Sequence, residues 1–152
     1  MKLIAAGLWL AVALQAGEIP FSHKRHAALK LDCAYCHTTA KTGERAGYPQ
    51  AASCMVCHRQ IATGAPEIRR LAALPKGAKI VSSRSMYMLA EFVFFSHARH
   101  RAANVPCRTC HGNLWQQETV RQAMPMTMKA CVTCHKATHA KVGCSTCHEL
   151  NE

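Results

Sequence analysis

The sequence predicts a mostly irregular, small-α fold with little β structure, a few short helices and one or two short strands, built around bound groups rather than its own side chains. Three observations carry this expectation. Among 152 residues there are ten cysteines and ten histidines, against two Trp, three Tyr and four Phe, so the bulky apolar residues that fill a domain of this length are scarce. Every cysteine belongs to a pair separated by two residues. The stretches between the pairs read largely as loops, such as Thr42-Gly-Glu-Arg-Ala-Gly-Tyr-Pro49 and Met124-Pro-Met-Thr-Met128.

Residues 1–16, MKLIAAGLWLAVALQA, open with a single Lys, continue with about twelve apolar residues from Leu3 to Leu14, and end in small and polar positions before Glu18. This is the pattern of a secretory signal peptide. The apolar run is shorter than the roughly 18 to 20 residues that a spanning helix needs. Cleavage is expected after Ala16, with Ala13 as the other candidate and an uncleaved anchor as the alternative. No cysteine follows the site to carry a lipid, and four residues follow His148, so the mature chain is expected to be soluble and periplasmic.

In an oxidising compartment ten cysteines would ordinarily mean five disulfides. The spacing argues otherwise, because each pair is followed at once by histidine: Cys33-Ala-Tyr-Cys36-His37, Cys54-Met-Val-Cys57-His58, Cys107-Arg-Thr-Cys110-His111, Cys131-Val-Thr-Cys134-His135 and Cys144-Ser-Thr-Cys147-His148. With histidine at about one position in fifteen, five such coincidences would arise by chance about once in a million. Zinc sites also pair cysteines, but zinc gives no reason for a histidine after every second one. Covalent haem does. Two thiols at this spacing add to the two vinyl groups on one porphyrin edge, and the next residue places its imidazole under the iron. Five c-type haems are therefore expected.

Five histidines remain: His23, His26, His97, His100 and His139. Taken singly, each would be read as a solvated or structural side chain. Together they equal the number of irons, two preceding the first two motifs and three accompanying the last three, which predicts five six-coordinate, bis-histidine haems. The segments Phe21-Ser-His23-Lys-Arg-His26 and Phe95-Ser-His97-Ala-Arg-His100 are one repeated pattern, F-S-H-x-R-H. As a helical turn, each would project two imidazoles on one side, about 4.5 Å apart along the axis, toward two neighbouring irons. Phe21 and Phe95 are expected either to lie against porphyrin faces or edges or to serve as ordinary core.

On these motifs the chain resembles the class III multihaem cytochromes c, the cytochrome c3 and c7 family, over roughly Phe21 to His148, with a three-haem c7-like unit from Phe92 onward. The resemblance implies a small, cofactor-dominated multihaem cytochrome c fold. It also implies that the first histidine of each F-x-H-x-x-H segment serves the next haem and the second a later one. His23 would then pair with His37, His26 with His58, His97 with His111 and His100 with His135, leaving His139 for His148. The fifth haem and the division into two plus three depart from the small members.

The expected organisation is thus a signal peptide (1–16), a dihaem segment (17–58), a haem-free connector (59–91) and a trihaem segment (92–152). In the connector, Pro66 to Leu74 predicts a short helix: proline suits a first turn, Ile68, Leu71 and Leu74 recur every three residues, and Pro75-Lys-Gly77 stops it. Lys79 to Phe95 is β-branched and aromatic and predicts one or two strands. The mature chain offers about 27 residues per haem, so the porphyrins would form the core and the apoprotein would be largely unfolded. Met124, Met126 and Met128 are read as packing, because histidines suffice as ligands.

Fully ligated irons leave no open position for a substrate, so the expected function is single-electron transfer at low potential and not catalysis; a multihaem reductase of nitrite or oxidase of hydroxylamine is disfavoured. The expected partners are redox proteins: a membrane quinol-oxidising complex on one side, and a terminal reductase or outer-membrane cytochrome on the other. The alternative is a subunit of a membrane oxidoreductase or of a cytochrome filament, with only peripheral or complex-mediated membrane association. The formal charge of +11 would ordinarily suggest nucleic acid. Loss of Lys2 and the addition of two propionates per haem bring the holoprotein to about +5 with ferric iron and near zero with ferrous iron. Much of the basic excess is then expected to be counter-charge for propionates, and no nucleic-acid partner is expected.

Overall fold

The computed structural model describes residues 18–75, 77–78, 80 and 86–149. The expected signal peptide lies outside them, as do Lys79 and Val81 of the expected strand region. Among the described residues eight short helices follow one another: α1 (His23–His26), α2 (Cys33–Cys36), α3 (Ala51–His58), α4 (Pro66–Ala72), α5 (His97–Ala102), α6 (Arg108–His111), α7 (Met128–Ala137) and α8 (Cys144–Cys147). Tight 3-10 turns at Ala27–Leu29, Thr38–Lys41 and Leu114–Gln116 accompany them.

Caps, rather than length, define several of these helices. A helix of four to six residues gains little from its own hydrogen bonds and must be held at its ends. The Ser22 hydroxyl accepts the Arg25 amide at 3.1 Å to start α1, and Ser96 accepts that of Arg99 at 3.3 Å to start α5. Asp32 caps α2 through the Ala34 amide at 2.7 Å, and Thr127 caps α7 through the Ala130 amide at 3.3 Å. Helix α4 begins at Pro66, carries Glu67 in its first turn and stops before Pro75, as the connector sequence predicts.

No strand forms among the described residues. The described part of Lys79–Phe95 turns and bends; it pairs through an antiparallel bridge, Val93 to His148, an amide bond from Phe94 to the carbonyl of Cys147 at 2.8 Å, and one from Ile80 to that of Pro49 at 3.3 Å. Around Val93 and Phe94 the pairing stops for a physical reason: these residues meet the end of the four-residue helix α8, which offers no extended partner to continue a ladder.

The apolar interior is minimal. Among the described residues the buried hydrophobic ones are Ala34, Ala51 and Leu71, and no large side chain is fully enclosed. Phe21, Tyr35, Tyr48, Val56, Phe92 and Phe94, all within or near the cysteine motifs and their partner segments, remain exposed.

The two cysteine-bearing segments interlock. Helix α1 of the first packs on the Leu114–Gln116 turn behind α6 of the second, and α5 of the second packs on the Thr38–Lys41 turn behind α2 of the first. Main-chain bonds fix both contacts: the Lys24 amide donates to the carbonyl of Gln117 at 3.1 Å, and the His97 and Ala98 amides donate to those of Glu44 and Gly43 at 3.1 and 3.0 Å. Glu118 clamps the first contact, accepting the Ser22 hydroxyl at 2.6 Å with Lys24 and Arg25 at 3.8 and 3.7 Å. Arg101 reaches Asp32 at 3.6 Å across the second. The connector returns to the first segment, where α4 packs on α3 and the amides of Ala51 and Ile80 reach the carbonyls of Ala78 and Pro49 at 3.1 and 3.3 Å.

Candidate functional site

Each Cys-x-x-Cys-His sequence winds into one helical turn, and this explains the spacing. Positions i, i+3 and i+4 share a helix face, so both sulfurs and the imidazole present themselves to the same side. The amides of His37, His111 and His148 donate to the carbonyls of Cys33, Cys107 and Cys144, each at 3.0 Å, closing that turn. None of the ten cysteines is paired in a disulfide. Burial pushes the thiols of Cys33, Cys36, Cys54, Cys110 and Cys131 above their usual range, assisted at Cys33 by Cys107 and at Cys110 by Cys134 and Cys131.

The histidines come in facing twos. Ring centroids lie 6.5 Å apart for His23 and His37, 6.0 Å for His26 and His58, 6.3 Å for His97 and His111, and 6.0 Å for His100 and His135. A nitrogen ligand sits about 2 Å from a first-row transition metal and about 1.2 Å from the centre of its own ring, so two imidazoles on opposite sides of one ion have centroids about 6 to 6.5 Å apart. The four separations fit one iron between each pair. They are too long for direct ring stacking. Both segments also repeat the same orientation pattern, the first pair nearly parallel (13° and 14°) and the second crossed (71° and 51°).

Tautomers are set by main-chain carbonyls, which only accept hydrogen bonds. The Nδ1–H of His37 donates to Gly47 at 2.7 Å, that of His58 to Ile61 at 3.0 Å, and that of His135 to Lys141 at 2.7 Å. On the opposing side His26 donates to Ser22 at 2.9 Å, His97 to Glu44 at 2.6 Å and His100 to Ser96 at 2.8 Å. With the proton on Nδ1, Nε2 keeps its lone pair, the form in which imidazole binds a metal. Burial, followed by the neighbouring imidazoles, also holds His23 and His111 below the usual histidine range and so neutral.

Aromatic residues support the rings. Phe21 stacks on His26 at 4.6 Å and meets His23 edge-on at 4.9 Å, and Phe95 repeats this on His100 and His97 at 4.6 and 4.8 Å. Sequence reasoning left these phenylalanines between two roles; here they brace the imidazoles. It missed Trp115, 6.0 Å from His23, and Tyr87, whose ring lies 4.5 Å from His111 and whose hydroxyl donates to the Cys110 carbonyl at 3.2 Å while accepting the Ala123 amide at 2.8 Å. Met124 lines an open cleft of about 460 Å³ together with Thr127, Ala130, Thr133 and Cys134.

His139 and His148 share no ring contact among the described residues. His139 is exposed, in the left-handed conformation (φ 56°) just beyond α7. His148 lies at the extended end of α8, 5.7 Å from the ring of Phe92, with its Nδ1 buried and unpartnered, as is that of His23. Thus four of the five expected pairs are brought together and the fifth is not.

Comparison with known proteins agrees with this geometry. The sequence pattern of the family described as cytochrome c7 and related cytochrome c matches residues 19–70 and again 93–149, one match on each cysteine-bearing segment. A curated relative from Nitratidesulfovibrio vulgaris, strain Hildenborough, named menaquinone reductase, multiheme cytochrome c subunit, is 37% identical over 95 residues. That alignment covers 61% of this chain and 44% of the relative, so the chain spans less than half the length of the protein it matches.

Proposed function

Because the chain belongs to the family of cytochrome c7 and related cytochromes c, a family of electron-transfer proteins with covalently attached c-type haem, we propose that it holds five such haems and relays single electrons at low potential. It is an electron-transfer protein rather than an enzyme. Each haem, when bound, supplies a one-electron iron couple. The chain attaches the haems through Cys33/Cys36, Cys54/Cys57, Cys107/Cys110, Cys131/Cys134 and Cys144/Cys147, with His37, His58, His111, His135 and His148 as proximal ligands. Four opposing ligands are His23, His26, His97 and His100, and His139 is assigned to the His148 haem.

The observation that carries this reading is the set of four imidazole pairs at 6.0–6.5 Å, each the separation one iron requires. With two imidazoles held for each iron, the site would leave no place for an exogenous ligand and would keep the same ligands in both oxidation states. Both properties suit electron transfer. In the reading proposed here the protein is exported to the periplasm and carries electrons from a membrane quinol-oxidising complex to a reductase or outer-membrane acceptor. A second reading makes it a haem-bearing subunit within a membrane oxidoreductase, and the name of the N. vulgaris relative favours it.

Haem quantification with carbon monoxide titration tests the core of the proposal. Five haems per chain and no carbon monoxide adduct of the reduced protein are expected; fewer haems, or a stoichiometric adduct, would refute it. Fractionation separates the two readings: recovery in the soluble periplasmic fraction supports the free relay, and co-purification with membrane subunits supports the second.

A further inference from the structure

From the reciprocal packing of the two segments we infer that the five attachment sites form a single line whose order differs from their order in the sequence: Cys54/Cys57, Cys33/Cys36, Cys107/Cys110, Cys131/Cys134, Cys144/Cys147. This rests on the five-haem reading above. It adds that the segments join through the first and third sites, and that the second and fifth are the ends.

Adjacency within each segment follows from shared helices. Helix α1 carries both His23 and His26, which face His37 and His58. Residues three apart are separated by about 4.5 Å along a helix axis, so the first two sites are neighbours. Helix α5 carries His97 and His100, which face His111 and His135, and makes the third and fourth sites neighbours in the same way. The fifth site is tied to the fourth by Phe92–Phe95: Phe92 lies 5.7 Å from His148, Phe94 donates to Cys147, and Phe95 stacks on His100.

The junction follows from the interlock. Helix α1, bearing a ligand for the first site, rests on the turn behind the third motif, and α5, bearing a ligand for the third, rests on the turn behind the first. The Cys33 and Cys107 sulfurs lie close enough to interact electrostatically, as do His37 and His111. Cys54 interacts in that way with Cys36, and Cys131 with Cys147. In this order the second site lies at the far end, against α4 and the connector, away from the junction. An electron entering beside His58 and leaving beside His148 passes three intervening haems.

Two-dimensional NMR of the fully reduced holoprotein, in which low-spin ferrous haem is diamagnetic, reads this order directly. Each haem is assigned through its thioether protons to its own cysteines. Haem-to-haem cross-peaks are expected between the His37 haem and those of both His58 and His111, then from His111 to His135 and from His135 to His148. Cross-peaks joining the His58 haem to the His111 haem, or none between His37 and His111, would overturn the order while leaving the five-haem reading intact. A haem count below five on the same sample would refute that reading and this order together.

Discussion

The imidazole planes of His23 and His37 lie 13° apart, whereas those of His26 and His58, served from the same helix, lie 71° apart. His97 and His111 at 14°, and His100 and His135 at 51°, repeat the contrast in the second segment. Each imidazole plane splits the two iron d orbitals of π symmetry. Parallel planes reinforce that splitting and crossed planes oppose it. The electron paramagnetic resonance spectrum of the oxidised protein is therefore expected to show two rhombic low-spin centres from the parallel pairs and more anisotropic low-spin signals from the crossed pairs. Uniform rhombic spectra from all centres would contradict these ring orientations.

His139 is the imidazole proposed for the His148 haem, and among the described residues it faces no other histidine ring. His139→Ala is expected to convert one of five low-spin centres to high-spin and to create one carbon monoxide site per reduced chain, with the other four unchanged. An unaltered spectrum would mean that another group fills that position.

Gly47 supports the first site through its backbone. Its φ is +66°, and a Cβ there would lie 2.6 Å from the Thr39 hydroxyl oxygen, while its carbonyl accepts the Nδ1–H of His37. Gly47→Ala must overcome both the left-handed strain and the clash, at a cost of about 1–3 kcal/mol. A lower thermal midpoint and a shifted signal from the His37 haem are expected. A variant indistinguishable from wild type in both would show that the loop relaxes freely.

Ser22 caps α1 and also donates to Glu118. Ser22→Ala is expected to cost about 1 kcal/mol from loss of the cap, measurable by denaturant unfolding of the holoprotein. The Glu118 carboxyl is held below its usual range by the Ser22 hydroxyl first, and then by Lys24 and Arg25. A depressed folded-state pKa means that the contribution is present above the carboxylate's unfolded value and disappears as pH falls through the folded one. Wild type and Glu118→Gln should accordingly differ in stability at neutral pH and converge in acid; a difference that grew on acidification would reverse the assigned sign.

Much of the site is legible in the chain because its chemistry is local. A sulfur, a sulfur and an imidazole at i, i+3 and i+4 make one face of one turn, and Ser-His-x-x-His carries its own cap, so spacing alone reveals both. Pro66 and Pro75 bracket α4 for the same reason. The carbonyls of Gly47, Glu44, Ile61 and Lys141 are not legible, since every residue has one and only the path of the chain selects them. Nor is the seating of α1 on Leu114–Gln116, which joins stretches some ninety residues apart with no shared periodicity. The aromatic run ending at Phe95 misled because β-prone composition measures fit to a pleated, half-buried surface, and here the surface offered is the end of α8 and the imidazoles of α5.

The seating of α1 behind His111 and of α5 behind His37 makes each segment depend on the other. Two copies of a motif that merely sat side by side could be pruned back to one. Here each copy supplies the bed on which the other's ligand helix lies, so loss of either removes support from a ligand of the copy that remains. The two segments are therefore halves of one unit and not independent modules: each ligand helix has its main seat in the other half.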